Sequence, residues 1–132
     1  MMSLKSAHVP MMLVGAIGAS SFAMDYVGSR LKTKLNMRQR RSWLIANQYH
    51  MSHTVALAAI AWMMTLAKES PEASSRLQKG FYLVMAGAFG FAGSIYSLSL
   101  RWCPKFMGPL TPTSGLVLVL GWINVGLAGL YW

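Results

Sequence analysis

Four apolar stretches separated by shorter polar segments dominate the pattern of hydrophobic and polar positions along the chain. They cover residues 9–27, 49–67, 81–100 and 112–132. Each holds about 20 residues, and a helix of that length spans about 30 Å, the thickness of the hydrocarbon core of a bilayer. The stretches show neither the period-two alternation of strands nor the polar stripe of a soluble helix. The pattern therefore predicts an all-α membrane protein, a bundle of four transmembrane helices.

The connecting segments refine this prediction. Thr111 and Pro112 predict an N-cap followed by proline in the first turn of the fourth helix. We expect one domain, residues 1–132, whose longest connector is a basic loop at residues 29–48. The first stretch exceeds the apolar core of a cleaved signal, which is about 7–15 residues, so we expect it to remain in the membrane.

Composition supports the membrane class and adds a one-sided charge. Charged residues make up 11% of the chain, and the net charge is +9. Soluble domains carry about 25% charged residues. Eight cations, with no acid among them, follow the first and third stretches: Arg30, Lys32, Lys34, Arg38, Arg40, Arg41, Arg101 and Lys105. The positive-inside rule then predicts that both termini lie on the non-basic side.

This basic cluster could contact nucleic acid, an anionic membrane surface or an acidic partner. It lies between apolar stretches rather than in a groove of stacking aromatic residues, so we expect no nucleic acid. Anionic lipid such as cardiolipin, or an acidic surface of a neighbouring subunit, fits the position better.

Small residues line one side of the third apolar stretch. Because lipid offers no hydrophobic drive for helix association, close backbone approach at small residues stabilises membrane bundles. We therefore expect the third helix to be the centre of the bundle, with Gly126 and Gly129 among the counterparts in the fourth. The predicted packing residues are Gly87, Gly90, Gly93 and Ser94.

A polar cluster is predicted inside the membrane near the basic side. It consists of Asp25, His50, His53 and Tyr96. One interpretation is structural: Asp25 neutralises Arg101 or Arg30, and the histidines bond to neighbouring carbonyl groups. A proton relay and a bound lipid headgroup are the other interpretations of intramembrane ionisable groups.

Other chemistry is not expected. Two histidines three residues apart are an incomplete ligand shell, so we expect no metal site and no haem or other cofactor. The single cysteine, Cys103, excludes an internal disulfide. There is no catalytic motif of the serine-hydrolase or phosphate-loop type, and we expect the protein not to be an enzyme.

Several short motifs together resemble the transmembrane protein 256 family, also called domain of unknown function 423. They are residues 15–19, 46–57, 91–98 and 110–115, followed by Gly121 and Trp122. The resemblance covers residues 13–125 and implies a small four-helix membrane protein that is mitochondrial in eukaryotes. Ser20 stands where the family pattern usually has a histidine, which weakens any three-histidine site. The basic stretch 30–41 also looks unusual for the family.

These observations lead to an expected function. We expect an accessory, non-catalytic subunit of a respiratory-chain complex in the mitochondrial inner membrane, with basic loops facing the matrix and termini facing the intermembrane space. Its partners would be other subunits of a large membrane complex and anionic lipid. The alternatives are a small transporter or proton-conducting protein that uses Asp25, His50 and His53, and a transient assembly factor.

Overall fold

Four long helices form the part of the chain that the computed structural model describes, residues 5–101 and 105–132, with side chains from residue 8 onward. They are α1 (Lys5–Leu31), α2 (Met37–Leu66), α3 (Pro71–Ser99) and α4 (Met107–Ala128). Short 3-10 turns, Ala67–Glu69 and Gly129–Tyr131, follow α2 and α4. No strand occurs in these ranges, so the all-α prediction is confirmed for them; Cys103 lies outside the described residues.

The first connector is much shorter than predicted. α1 continues to Leu31 and α2 starts at Met37, so the prediction of a basic loop across residues 29–48 is wrong for most of that stretch. The physical reason is a capping box. The Gln39 backbone N–H donates to the Asn36 side chain across 2.9 Å, and the Gln39 side chain accepts from the Asn36 backbone N–H across 2.9 Å. The capping box marks the start of α2, but it lies in a cationic segment between two apolar stretches, so hydrophobicity alone does not reveal it.

The later helices also begin earlier than their apolar stretches. Ser70 caps α3, since its hydroxyl accepts from the Ala73 backbone N–H, and Pro71 occupies the first turn. α4 begins at Met107, so the prediction of Thr111 as its N-cap is wrong, and Pro112 lies inside the helix. The Thr111 hydroxyl instead lies 2.7 Å from the Ser94 hydroxyl of α3.

The helices run up and down, and each packs on its neighbour in the chain: α1 on α2, α2 on α3, and α3 on α4. One apolar cluster includes Leu57, Ile60 and Phe81, all nearly inaccessible to solvent. A second cluster surrounds Trp43 and Tyr96, whose ring centroids lie 4.6 Å apart. α2 and α3 thus form the centre, and α1 and α4 flank them.

The small-residue face of α3 packs against α4 along most of its predicted length. A Cβ atom added to Gly87 would lie 2.6 Å from the Leu118 backbone nitrogen, and one added to Gly90 would overlap the Ser114 hydroxyl. Gly93 differs, because an added Cβ would meet nothing within 4 Å. Gly87, Gly90 and Ser94 therefore mediate the close contact, whereas Gly93 does not.

The contact residues on α4 are not the predicted ones. Added Cβ atoms at Gly126 and Gly129 would meet nothing within 4 Å, whereas one at Gly121 would lie 2.7 Å from the Val84 backbone nitrogen. Gly121 and Ser114 are two helical turns apart and share a face. Gly126 lies on another face of α4, and Gly129 lies in the 3-10 turn that follows it.

Three helical segments are long and apolar enough to cross a membrane: His8–Leu31, Pro71–Ser99 and Met107–Tyr131. Large apolar side chains cover their outer surfaces, including Phe22, Leu116 and Ile123, all at least half exposed. The polar residues Tyr49, His50 and His53 lower the mean hydropathy of the corresponding part of α2.

Candidate functional site

One end of the bundle collects the eight predicted cations, and we call it the basic end. The C-terminus of α1, the connector 32–36, the first turns of α2 and the C-terminus of α3 meet there. Its residues are Arg30, Lys32, Lys34, Arg38, Arg40, Arg41, Arg101 and Lys105. All are exposed except Arg40, which is half-buried. The structure thus brings together cations that are far apart in the chain.

The arginines at the start of α2 lie where a helix least favours positive charge. The N-terminus of a helix carries a partial positive charge, and acidic side chains usually offset it. The first turn of α2 contains no acid, while Arg38, Arg40 and Arg41 lie within its first five residues. These cations therefore do not stabilise the helix electrostatically. Their charge adds to that of the helix end and favours a bound anion.

The described residues of the basic end line three clefts. The α1–α2 cleft has a volume of about 340 Å³, and its lining includes Asp25, Lys32, Arg40, Trp43 and Leu44. A second cleft, of about 490 Å³, is lined by Arg38 together with residues such as Ile45 and Ile95. A third, of about 410 Å³, is lined by Lys34, Arg101 and residues including Leu31 and Leu100. Each cleft combines cations with apolar walls, which suits an anionic group attached to an apolar body.

Arg101 occupies an unusual backbone conformation. Its φ of 55° lies in the left-handed region, and no other non-glycine residue with described coordinates has a positive φ. The residue directly follows the C-cap of α3, a position where glycine is the usual choice. A non-glycine residue there costs about 1 kcal/mol. In this conformation Arg101 lines the third cleft.

Asn47 joins two members of the predicted polar cluster. Its side-chain N–H donates to the Asp25 carboxylate across 3.0 Å, and its side-chain oxygen accepts from the Tyr96 hydroxyl across 3.1 Å. Asn47 and Tyr96 are buried, at 5% and 6% exposure, whereas Asp25 is exposed. We call these three residues the polar clamp. It connects α1, α2 and α3 at the level of the basic end.

His50 lies beside the clamp but forms no hydrogen bond to it. Its Nε2 atom is 3.2 Å from the Ser20 hydroxyl of α1, and its ring contacts Tyr96 and Phe89. The residue is 6% exposed, and its Nδ1 atom has no hydrogen-bond partner. Ser20 is thus the residue of α1 that meets His50.

His53 and the two arginines considered as partners of Asp25 have other contacts. The His53 ring stacks on Tyr49, with Nδ1 2.8 Å from the Tyr49 carbonyl oxygen, and its edge contacts Trp122. It is not joined to the clamp. Arg30 donates two hydrogen bonds to the Tyr26 hydroxyl, at 2.8 and 3.0 Å. Within the described residues Asp25 forms no ion pair with Arg30, Arg101 or any other cation.

A protein metal site usually needs three or more ligand side chains around one point. Within residues 5–101 and 105–132, no three His, Cys, Asp or Glu side chains are grouped so that they could hold a metal ion.

Trp43 is a site residue that the sequence patterns did not reveal. Its indole N–H donates to the Met24 carbonyl oxygen across 3.1 Å, and its ring packs on Tyr96. The ring can approach α1 because residue 28 is glycine; an added Cβ there would overlap the indole. Asn47 was missed in the same way. Trp43 and Asn47 are four residues apart and so share one face of α2, and this spacing could have indicated that they pack together.

Helices of this length and apolarity, with large apolar side chains on the outside and charges at one end, define a helical membrane protein. The chain belongs to the family described as "Protein of unknown function (DUF423)", which matches residues 14–115. The resemblance to the transmembrane protein 256 family is thereby confirmed.

Curated relatives agree with this assignment. The UPF0382 membrane protein YwdK of Bacillus subtilis is 30% identical over 118 residues, which is 88% of this chain and 92% of the relative. A UPF0382 membrane protein of Schizosaccharomyces pombe is 33% identical over 91 residues, which is 64% of this chain and 69% of the relative. No solved structure matches the chain. Membrane location is thus shared by relatives from bacteria and a yeast.

Proposed function

We propose that the protein is an accessory, non-catalytic subunit of a respiratory-chain complex in the mitochondrial inner membrane, and that its basic end binds anionic lipid. The observation that carries the proposal is the basic end: eight cations, unaccompanied by acids in the segments that carry them, surround clefts with apolar walls. Each cation contributes about 1 kcal/mol at an anionic membrane surface. Cardiolipin is the anionic lipid that this location would supply.

The proposal includes a fourth membrane span. α2 packs between α1 and α3, two helices that are apolar enough to cross a bilayer, so its apolar part would cross with them. His50 lowers the mean hydropathy of α2 but is buried against α1 and α3 rather than exposed to lipid. Four spans would place both termini in the intermembrane space and the basic end in the matrix.

The outer faces of α1 and α4 are the proposed contacts with neighbouring subunits. Gly15 on α1 and Gly126 on α4 face open space, because added Cβ atoms there would meet nothing within 4 Å. Exposed glycines let a helix of another subunit approach closely, which stabilises association in lipid. Large exposed side chains such as Met12 and Leu116 would fill the remaining contact.

Retention in the complex tests the proposal. Mitochondrial membranes carrying the variant R38Q/R40Q/R41Q are solubilised in mild detergent and separated on a native gel, and mass spectrometry locates the chain. The matched control is K68Q/R76Q/K79Q, which removes three cations from the opposite end. We expect the wild type and the control to comigrate with one respiratory complex at near-equal stoichiometry, and the first variant to dissociate. Unchanged retention of the first variant would contradict the role of the basic end.

The same gel separates the stable subunit from an assembly factor. A transient factor would migrate with partly assembled complexes and be absent from the mature one.

His50 supports a second candidate function, proton conduction or small-molecule transport. A buried imidazole with an unpartnered nitrogen, next to Ser20 and Tyr96, is a group that could exchange a proton. A relay through Asp25 is disfavoured, since the amide of Asn47 between Asp25 and Tyr96 does not readily pass a proton. Proton flux in liposomes decides between the two functions: conduction by the wild type that His50→Phe abolishes would favour transport, and the absence of conduction would favour the accessory subunit.

A further inference from the structure

The α1–α2 cleft differs from its two neighbours at the basic end because it contains a carboxylate. Asp25 lines it together with Lys32 and Arg40, and the linings of the second and third clefts contain no acid. The cleft is therefore the one of the three that presents both signs of charge. A purely anionic ligand would meet repulsion from Asp25 there and none in the other two.

Asp25 is not neutralised by the cations that share its cleft. It forms no ion pair within the described ranges, although Lys32 and Arg40 line the same space. One carboxylate oxygen, Oδ1, accepts the hydrogen bond from Asn47. Because Asp25 is exposed, its carboxylate remains accessible to a cation from outside the chain. The space between Asp25 and the two cations can admit a ligand that brings a cation of its own.

The remaining walls indicate the other parts of such a ligand. Arginine and lysine are the side chains that bind phosphate, arginine in a two-pronged geometry and lysine as a point charge. Leu44, which is 60% exposed, adds an apolar surface, and the buried Trp43 lies behind it in the wall. A volume of about 340 Å³ is within the range of small-ligand sites. Phosphate, protonated amine and apolar attachment together describe an aminophospholipid.

We propose that the α1–α2 cleft binds the headgroup of phosphatidylethanolamine, with its phosphate on Lys32 and Arg40 and its ammonium group on the Asp25 carboxylate. The inference rests on the proposed lipid-binding role of the basic end and assigns a distinct lipid class to one cleft. The other two clefts, with cations alone, take lipids whose headgroups carry only negative charge.

Lipid binding to the purified full-length chain in detergent micelles tests the assignment, with bound lipids counted by native mass spectrometry. The probes are phosphatidylethanolamine, its mono-, di- and trimethylated derivatives, and phosphatidylglycerol, all with the same acyl chains. Methylation removes N–H donors while keeping the positive charge. We expect the wild type to bind phosphatidylethanolamine about tenfold more tightly than the trimethylated lipid, the effect of one charge-assisted hydrogen bond. Affinity should fall along the series.

Two variants locate the effect. Asp25→Asn should abolish the preference for the unmethylated amine and leave phosphatidylglycerol binding intact, whereas Arg38→Gln in the second cleft should keep the preference. If the wild type bound all four lipids of the methylation series equally tightly, the assignment would be overturned. This comparison uses the wild type alone, so it does not depend on the folding of a variant. If the wild type bound phosphatidylglycerol no more tightly than the trimethylated lipid, the proposed role of the basic end would be contradicted instead.

Discussion

Asn47 on α2 donates its side-chain N–H to the Asp25 carboxylate on α1 across 3.0 Å. Because the same amide accepts from Tyr96 on α3, its donor and acceptor sides point to different helices. A large rotation of α2 about its axis would break both bonds. We therefore expect the polar clamp to restrict the relative orientation of the three helices.

The first prediction concerns the donor of the clamp. Tyr96→Phe leaves the buried Asn47 oxygen without its hydrogen bond, which should lower the free energy of unfolding by about 1–2 kcal/mol. Tyr82→Phe on the same helix is the control, because that side chain is 37% exposed. Thermal unfolding in detergent, followed by circular dichroism, should show a lower Tm for Tyr96→Phe alone. Equal Tm values for both variants would contradict the structural role of the clamp.

The second prediction tests the close contact between α3 and α4. Gly87→Ala places a methyl group 2.6 Å from the Leu118 backbone nitrogen, so the helices must separate and Tm should fall. Gly93→Ala, two turns away on the same helix, enters open space and should leave Tm unchanged or slightly raised. Both variants add one methyl group to α3, and only the methyl group at residue 87 meets α4. A fall in Tm with Gly93→Ala would place the contact face elsewhere.

The third prediction concerns the contact of the Trp43 indole with Gly28 and Met24 of α1. Gly28→Ala forces the indole away from α1 and breaks its bond to the Met24 carbonyl group, which should lower the free energy of unfolding by about 1–3 kcal/mol. Gly15→Ala on the same helix is open and serves as the control. Trp43 fluorescence, read in a protein whose other tryptophans are replaced by phenylalanine, should shift with Gly28→Ala only. An unshifted emission spectrum would show that the indole does not depend on this glycine.

The fourth prediction separates stability from binding at Arg101. Arg101→Gly relieves the left-handed backbone and should raise the free energy of unfolding by about 1 kcal/mol, while the lost charge weakens phosphatidylglycerol binding. Arg101→Gln loses the same charge but keeps the strain, so it should weaken binding without the gain in stability. Urea unfolding and lipid titration measure the two effects. Identical stability of both variants would mean that the backbone carries no strain there.

Local patterns in the sequence were enough to predict part of this fold. Apolar stretches and small residues act within one helix, so they indicated the helical class and the contact role of Gly87, Gly90 and Ser94. The capping box at Asn36 and Gln39 was also a local signal. The six cations around it favoured a loop in the prediction, although cations do not prevent a helix from forming.

Relationships between helices could not be predicted in the same way. The rotation of α4 about its axis decides that Gly121 rather than Gly126 meets α3, and no pattern within α4 contains that information. The separation of His50 from His53 has the same origin. Residues three apart differ by about 60° around a helix. One ring therefore faces α1 and α3, and the other contacts Trp122 of α4.

The interfaces of the bundle are unequal. α1 is held mainly by α2, through the polar clamp, the bond between Ser20 and His50, and the bond from Trp43 to Met24. α4 is locked to α3 by direct backbone contact at Gly87 and Gly121. We therefore expect α1 to separate before α4 when the bundle is destabilised, because side-chain bonds hold α1 whereas direct backbone packing holds α4.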